Sequence, residues 1–208
     1  MEITAEKIMQ QLSAGTQVAG VIAVFGEEGY YKDKIAAALP RAVFGDAAPE
    51  DREITVFERD TDIKEISAAV NTYPFFSGRS LVIIKDEKLW GGKDGGEKRK
   101  QQQEELAELL ADVPEHCQVL LLGEKIDKRG KLYKSLLKTA AMVECKSLKS
   151  YQLKPWLDEQ AALRGCRFDY EASQTIMEYL SVTDNAPLLL LEQEVEKLSV
   201  YAGERKIW

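Results

Sequence analysis

The sequence predicts an α/β fold: a three-layer domain on a parallel sheet over residues 1–147, then a small three-helix lid domain over residues 148–208. Three observations predict the layered domain and the bundle. Short apolar runs alternate with helical segments along the first part of the chain, the order that gives parallel strands joined by helical crossovers. The runs are apolar at successive positions rather than alternate ones, as in strands covered on both faces. Beyond Ser147 apolar residues recur at helical spacing and no further run occurs.

The first run, Val18 to Phe25, ends at Gly26, and Tyr30 to Leu39 then reads as a helix stopped by Pro40. Glu53 to Phe57 reads as a strand, Asp62 to Val70 as a helix and Ser80 to Ile84 as a third, strongly apolar strand. A polar insertion, Trp90 to Gly96, leads into the charged helix Glu97 to Ala111. Cys117 to Leu122 is the fourth strand, Lys131 to Leu137 a helix and Ala141 to Cys145 a short fifth strand. Leu153, Trp156, Leu157 and Ala161 then mark one face of a helix ended by Gly165. A second helix follows Asp169 with Ala172, Ile176, Met177 and Leu180 on one side. The third starts after the capping candidates Asp184 and Asn185, has Pro187 in its first turn, and carries Leu188, Leu191, Val195, Leu198 and Ala202 inward. No strand is expected in this part.

Composition narrows the function. The 208 residues are 45% hydrophobic and 30% charged, which excludes a disordered, collagen-like or disulfide-scaffold chain. With 28 Lys plus Arg against 35 Asp plus Glu, the net charge of −7 argues against a protein that coats phosphates in general, since such proteins need surplus cation. Any nucleic-acid contact is then local or shared with a partner. Cys117, Cys145 and Cys166 form no CxxC motif and read as small buried hydrophobes. His116 is the single histidine and reads as a loop residue, so a histidine-based triad or multi-histidine metal site is excluded. No window approaches ~18 apolar residues, and the acidic start Met1 to Glu6 is no signal peptide, so neither secretion nor a membrane span is expected.

The turn after the first strand is where a doubly wound protein would bind phosphate. It reads Gly26-Glu27-Glu28-Gly29-Tyr30-Tyr31-Lys32. A phosphate loop needs GxxxxGK and then Ser or Thr. Here two glycines stand three apart, two carboxylates would repel a triphosphate, and Asp33 stands where a hydroxyl should hold magnesium. A second segment, Tyr73-Pro74-Phe75-Phe76-Ser77-Gly78-Arg79, allows two readings: both phenylalanines in the core, or at least one presented outward as a plug for a partner's pocket. A third, Lys125 to Lys138, includes Lys125, Lys128, Arg129, Lys131 and Lys134 and reads either as a phosphate contact or as a solvated face. Lys98, Arg99 and Lys100 read as a solvated face. Adjacent pairs such as Glu27/Glu28 and Glu104/Glu105 are not spaced to converge on a substrate, and no catalytic set is visible.

Four blocks in order, Phe25-Gly26-Glu27-Glu28, Pro74 to Val82, Asp127 to Lys134 and Leu191 to Leu198, closely resemble the delta subunit of the bacterial DNA polymerase III clamp loader, over essentially the whole chain. The resemblance implies an AAA+-like module that does not bind ATP, without catalysis of its own, within the DNA-directed DNA polymerase holoenzyme. It implies a subunit that binds and opens the ring-shaped beta sliding clamp for loading on primed DNA. The clamp-binding role carries over to Phe75 and Phe76, with Tyr73 and Pro74 as the flanking wedge. The implied partners are the beta clamp, the ATP-binding tau/gamma subunits, the delta-prime subunit and primer-template DNA, in the cytoplasm near the nucleoid and without membrane. The possible DNA-facing residues are Lys125, Lys128, Arg129, Lys131 and Lys134. No cofactor or metal is expected. The family continues into a helical collar domain, which this chain is expected to lack. The residues taken alone leave two rivals: a nucleotide enzyme with an unusual phosphate loop, and a DNA-binding module.

Overall fold

The computed structural model describes residues 1–16, 18–58, 61–85, 96–181 and 188–208. Residues 90–95 of the glycine-rich insertion, and Asp184, Asn185 and Pro187, lie outside the described residues, as do the side chains of Lys98 and Arg99. The chain divides into two compact units, Met1–Cys145 and Lys146–Trp208.

In the first unit, strands β1 (Val21–Phe25), β2 (Glu53–Phe57), β3 (Ser80–Ile84), β4 (Cys117–Gly123) and β5 (Ala141–Glu144) form one sheet. Its order is β2-β3-β4-β1-β5 and every neighbouring pair is parallel. Register decides what meets at each end. Glu53, Ser80 and Cys117 stand in one row at the start of three strands, while Phe25, Gly123 and Glu144 share a row at the opposite end.

Helices cover both faces. Val21, Ala23, Phe25, Val82, Ile84, Val119 and Leu121 pack with Ile66 and Val70 of α3 (Ile63–Asn71), Leu106 of α4 (Gly96–Leu109) and Leu132 and Leu136 of α5 (Lys131–Thr139). The alternate residues Ile22, Val24, Leu81 and Leu120 project to the other face and are fully buried. Elements α1 (Ala5–Ser13) and α2 (Gly29–Phe44) lie there, α1 against β5 and α2 against β3 and β4. Only β2 departs from double coverage, with Ile54 and Val56 exposed at the sheet edge. The outer edge of β5 is met by the N-terminus, where Glu2 bridges Met142 and the Ile3 N–H donates to the Met142 carbonyl at 2.9 Å.

Two elements differ from expectation. Helix α2 does not stop at Pro40 but runs through it to Phe44. The proline leaves the Ala36 carbonyl without its intrahelical donor, but Leu39, Val43 and Phe44 are buried around it, and that burial outweighs one lost bond. Helix α1 is the second, an element that the apolar runs do not announce. Thr4 caps it, accepting the Lys7 N–H at 3.3 Å, and Ala5, Ile8 and Leu12 form its buried stripe.

The second unit contains α6 (Ser150–Leu163), α7 (Tyr170–Ser181) and α8 (Leu188–Ala202). Leu153, Trp156, Leu157 and Ala161 are buried on α6, and Leu180 on α7, where Ala172, Ile176 and Met177 are half-buried. On α8, Leu188, Leu191 and Val195 are buried, but Leu198 is 37% exposed and Ala202 half-buried, so the inward stripe ends early. Among the described residues of this unit no strand is found, but one isolated bridge is. Arg167 and Ile207 form a parallel bridge, with the Arg167 N–H donating to Lys206 and the Trp208 N–H to Arg167, both at 3.0 Å. The rings of Phe168 and Trp208 meet edge to face at 5.3 Å beside it. A segment of five residues after Gly203 is too short to show a period. Cys117 and Cys145 are buried, whereas Cys166 is only half-buried. Among the described residues no helix is long and apolar enough to cross a membrane.

Candidate protein-interaction site

The carboxyl-terminal end of the sheet, the usual ligand end of such folds, is filled by its own groups. Gly26 follows β1 with φ of 131°, and a Cβ there would lie 2.0 Å from the Cys145 carbonyl oxygen. The two segments are tied together, the Glu28 N–H donating to that same oxygen at 3.1 Å and the Cys145 N–H to the Phe25 carbonyl at 2.6 Å. At the start of α2 the Glu28 carboxylate accepts the Tyr30 N–H at 2.9 Å, so the positive helix end already has an anion. The Lys32 ammonium, the cation that would meet a phosphate, donates to the Gly26 carbonyl at 2.8 Å. Burial pushes the Cys145 thiol up to about 12, which leaves it inert.

The basic residues after β4 divide into two groups. Lys128 is held by Glu144 at 2.9 and 3.0 Å, lies 5.8 Å from the centre of the Phe25 ring, and has its pKa raised chiefly by the hydrogen bond to Glu144. Lys131 pairs with Glu104 at 2.8 Å. Lys125, Arg129 and Lys134 are exposed and make no ion pair among the described residues.

The amino-terminal end of the same sheet is different. Helix α3 ends at Asn71, and Thr72 closes it by donating both its N–H, at 2.9 Å, and its hydroxyl, at 2.7 Å, to the Ala68 carbonyl. The chain then crosses to β3 through residues 72–79. Tyr73 lies with its ring 5.1 Å from that of His116, just before β4. Pro74, between Tyr73 and the two phenylalanines in sequence, is buried. Phe75 and Phe76 are 88% and 69% exposed, and Tyr73 71%. The two phenyl rings meet edge to face with centres 5.1 Å apart.

The loop is pinned from both sides, which is why the rings stay outward. One oxygen of the Glu53 carboxylate accepts the N–H of Phe75 and, at 3.0 Å, that of Phe76. Downstream, Gly78 turns the chain with φ of 66°, and the Ser80 N–H donates to the His116 carbonyl at 2.8 Å. Leaving a phenylalanine ring in water rather than burying it forgoes about 1.5–3 kcal/mol, which makes two adjacent exposed rings a candidate interaction surface. The sequence names Tyr73, Phe75 and Phe76 but not Glu53 or His116. Glu53 lies over twenty residues upstream, and only the β2–β3 register brings it to the loop. Among the described residues no cluster of His, Cys, Asp and Glu could hold a metal ion.

Fold and site together define a class: a parallel α/β module whose turn after β1 is occupied by its own hydrogen bonds and whose opposite sheet end presents aromatic rings. The family model for the DNA polymerase III, delta subunit, matches residues 25–146, and the chain belongs to that family. The DNA polymerase III subunit delta of Bacillus subtilis strain 168 is 28% identical over 193 residues, which is 91% of this chain and 54% of that protein. Among solved structures, the Bacillus subtilis DNA clamp loader delta protein shares the fold with a TM-score of 0.75 at 25% identity, covering 98% of this chain and 59% of that one. The chain thus spans little more than half the length of these relatives.

Proposed function

We propose that this chain is the part of a clamp-loader delta subunit that binds and opens the beta sliding clamp, with Phe75 and Phe76 as the plug. The observation that carries this reading is the exposure of two contacting phenyl rings on a loop pinned by hydrogen bonds. The rings enter an apolar pocket on the clamp. Affinity for the open ring over the closed one then shifts the clamp toward opening, with no chemical step in this chain.

ATP binding and hydrolysis belong to the tau/gamma subunits of the assembly. The Glu28 cap and the Lys32 bond to Gly26 support this division, because they occupy both the anion place and the cation that a triphosphate needs. Delta-prime and primer-template DNA complete the set of partners, in the cytoplasm. Lys125, Arg129 and Lys134 are the better candidates to face DNA, since Lys128 and Lys131 are already neutralised by carboxylates.

The test is a variant with both Phe75→Ala and Phe76→Ala. Burying each ring contributes about 1.5–3 kcal/mol, so binding to the sliding clamp of the same organism should weaken by about 100-fold or more. Circular dichroism should be unchanged. Undiminished clamp binding by a folded double variant would remove the plug from the mechanism.

A further inference from the structure

Resting on that reading of the plug, we infer that Glu53 is a positioning residue for the clamp contact: it presets the loop so that both rings face outward before any partner arrives. Glu53 is the first residue of β2 and sits opposite Ser80 in the β2–β3 register, so its backbone is fixed by the sheet. Its carboxylate reaches across to the loop that leads into β3. There a single oxygen takes the N–H groups of two successive residues, Phe75 and Phe76.

Successive N–H groups converging on one anion form a concave nest, and here the anion is the Glu53 carboxylate of the same chain. With both N–H groups directed at Glu53, the side chains of the same two residues point away from it, and both are exposed. The bonds are charge-assisted, which makes them stronger than neutral ones. A second contact acts on the other side of the buried Pro74, where Tyr73 lies against His116. The loop is therefore held at two points, at Tyr73 from just ahead of β4 and at Phe75 and Phe76 from β2.

The consequence is kinetic. A loop that visits the binding shape only part of the time has its affinity reduced by that fraction. Removing the strut lowers the fraction of chains ready to bind, while the contacts made after docking stay the same. The loss should therefore appear mainly in the association rate.

The experiment compares wild type, Glu53→Gln, Glu53→Ala and the double alanine variant at Phe75 and Phe76. Association and dissociation with immobilised sliding clamp are measured, and amide hydrogen exchange at Phe75 and Phe76 is followed in the free chain. Glu53→Ala should bind about tenfold more slowly, in line with a competent fraction falling about tenfold, with dissociation nearly unchanged and both amides exchanging faster. Glu53→Gln keeps an acceptor and should recover most of the association rate. If Glu53→Ala associates like wild type, or its two amides exchange no faster, the assignment is wrong, whereas loss of binding in the double variant would still support the plug. If the double variant itself binds like wild type, the plug reading falls and the role of Glu53 in clamp contact falls with it.

Discussion

The two ends of one parallel sheet have opposite characters. At the carboxyl-terminal end, Gly26, Glu28, Lys32 and Cys145 satisfy one another through backbone and side-chain hydrogen bonds, and the turn that serves nucleotides in related folds is closed. At the amino-terminal end, hydrogen bonds donated to Glu53 and the contact between Tyr73 and His116 hold a loop open, so that apolar rings are shown to solvent. The difference teaches that hydrogen bonding serves opposite purposes on the same scaffold, to fill a site at one end and to expose one at the other. Mutations at the closed end should therefore change stability, and mutations at the open end should change binding alone.

The largest effect is expected at Gly26. A methyl group there would overlap the Cys145 carbonyl at 2.0 Å, and φ of 131° is itself unfavourable for any residue with a side chain. Gly26→Ala should destabilise the first unit by about 4 kcal/mol or more, in the range reserved for severe backbone clashes, and lower the thermal midpoint by roughly 10 °C. The double alanine change at Phe75 and Phe76 should stay within about 0.5 kcal/mol of wild type, because neither ring is buried. Thermal unfolding followed by circular dichroism checks both. A near-neutral Gly26→Ala would mean that the closed end is looser than its geometry states.

Much of this contrast is legible in the sequence, and the rest is hidden for definite reasons. Ser80 to Ile84 and Cys117 to Leu122 read as strands because a short run that is apolar at successive positions, in a chain that alternates such runs with helices, is stable only where helices cover both of its faces. The closed turn is legible in Glu27, Glu28 and Asp33, which are the wrong charges for phosphate. The exposure of Phe75 and Phe76 is not, because a pair of phenylalanines between a helix and a strand reads equally well as core. Glu53 is invisible as a strut, since its partner lies across a strand pairing that no local pattern encodes. Helix α2 runs past Pro40 because tertiary burial of Val43 and Phe44 overrides a local stop signal.

The next effect in size is alkaline destabilisation, and it too should divide by end. Burial pushes the Cys145 thiol from its ordinary 9.0 up to about 12. Between these values the folded chain keeps a proton that the unfolded chain releases. The unfolded state thus binds fewer protons, and stability falls as pH rises through this window, with nothing lost below pH 9. The slope approaches about 1.4 kcal/mol per pH unit, or roughly 2 kcal/mol by pH 10.5. Cys117, at the start of β4, is also raised by burial, but the neighbouring Ser80 side chain works against the shift. Denaturant titrations at pH 8 and 10.5 should therefore show Cys145→Ala removing more of the alkaline loss than Cys117→Ala. Equal removal by the two would erase the distinction between the ends in this respect.

The smallest effect concerns Glu28 and separates stability from nucleotide chemistry. Its carboxylate both accepts the Tyr30 N–H at 2.9 Å and places a negative charge at the start of α2. Glu28→Ala loses both and should cost about 1 kcal/mol, the usual value of an N-terminal cap. Glu28→Gln keeps an acceptor and loses only the charge, so its cost should be a few tenths of a kcal/mol, within the range of the helix-dipole term. Neither change frees Lys32 from the Gly26 carbonyl or supplies a hydroxyl at Asp33. Isothermal titration should accordingly detect no saturable ATP binding by wild type or by either variant. Binding by Glu28→Ala alone would mean that one carboxylate, rather than the whole closed turn, keeps nucleotide out. Binding by wild type, lost on Lys32→Ala, would return the carboxyl-terminal end of the sheet to the list of active sites.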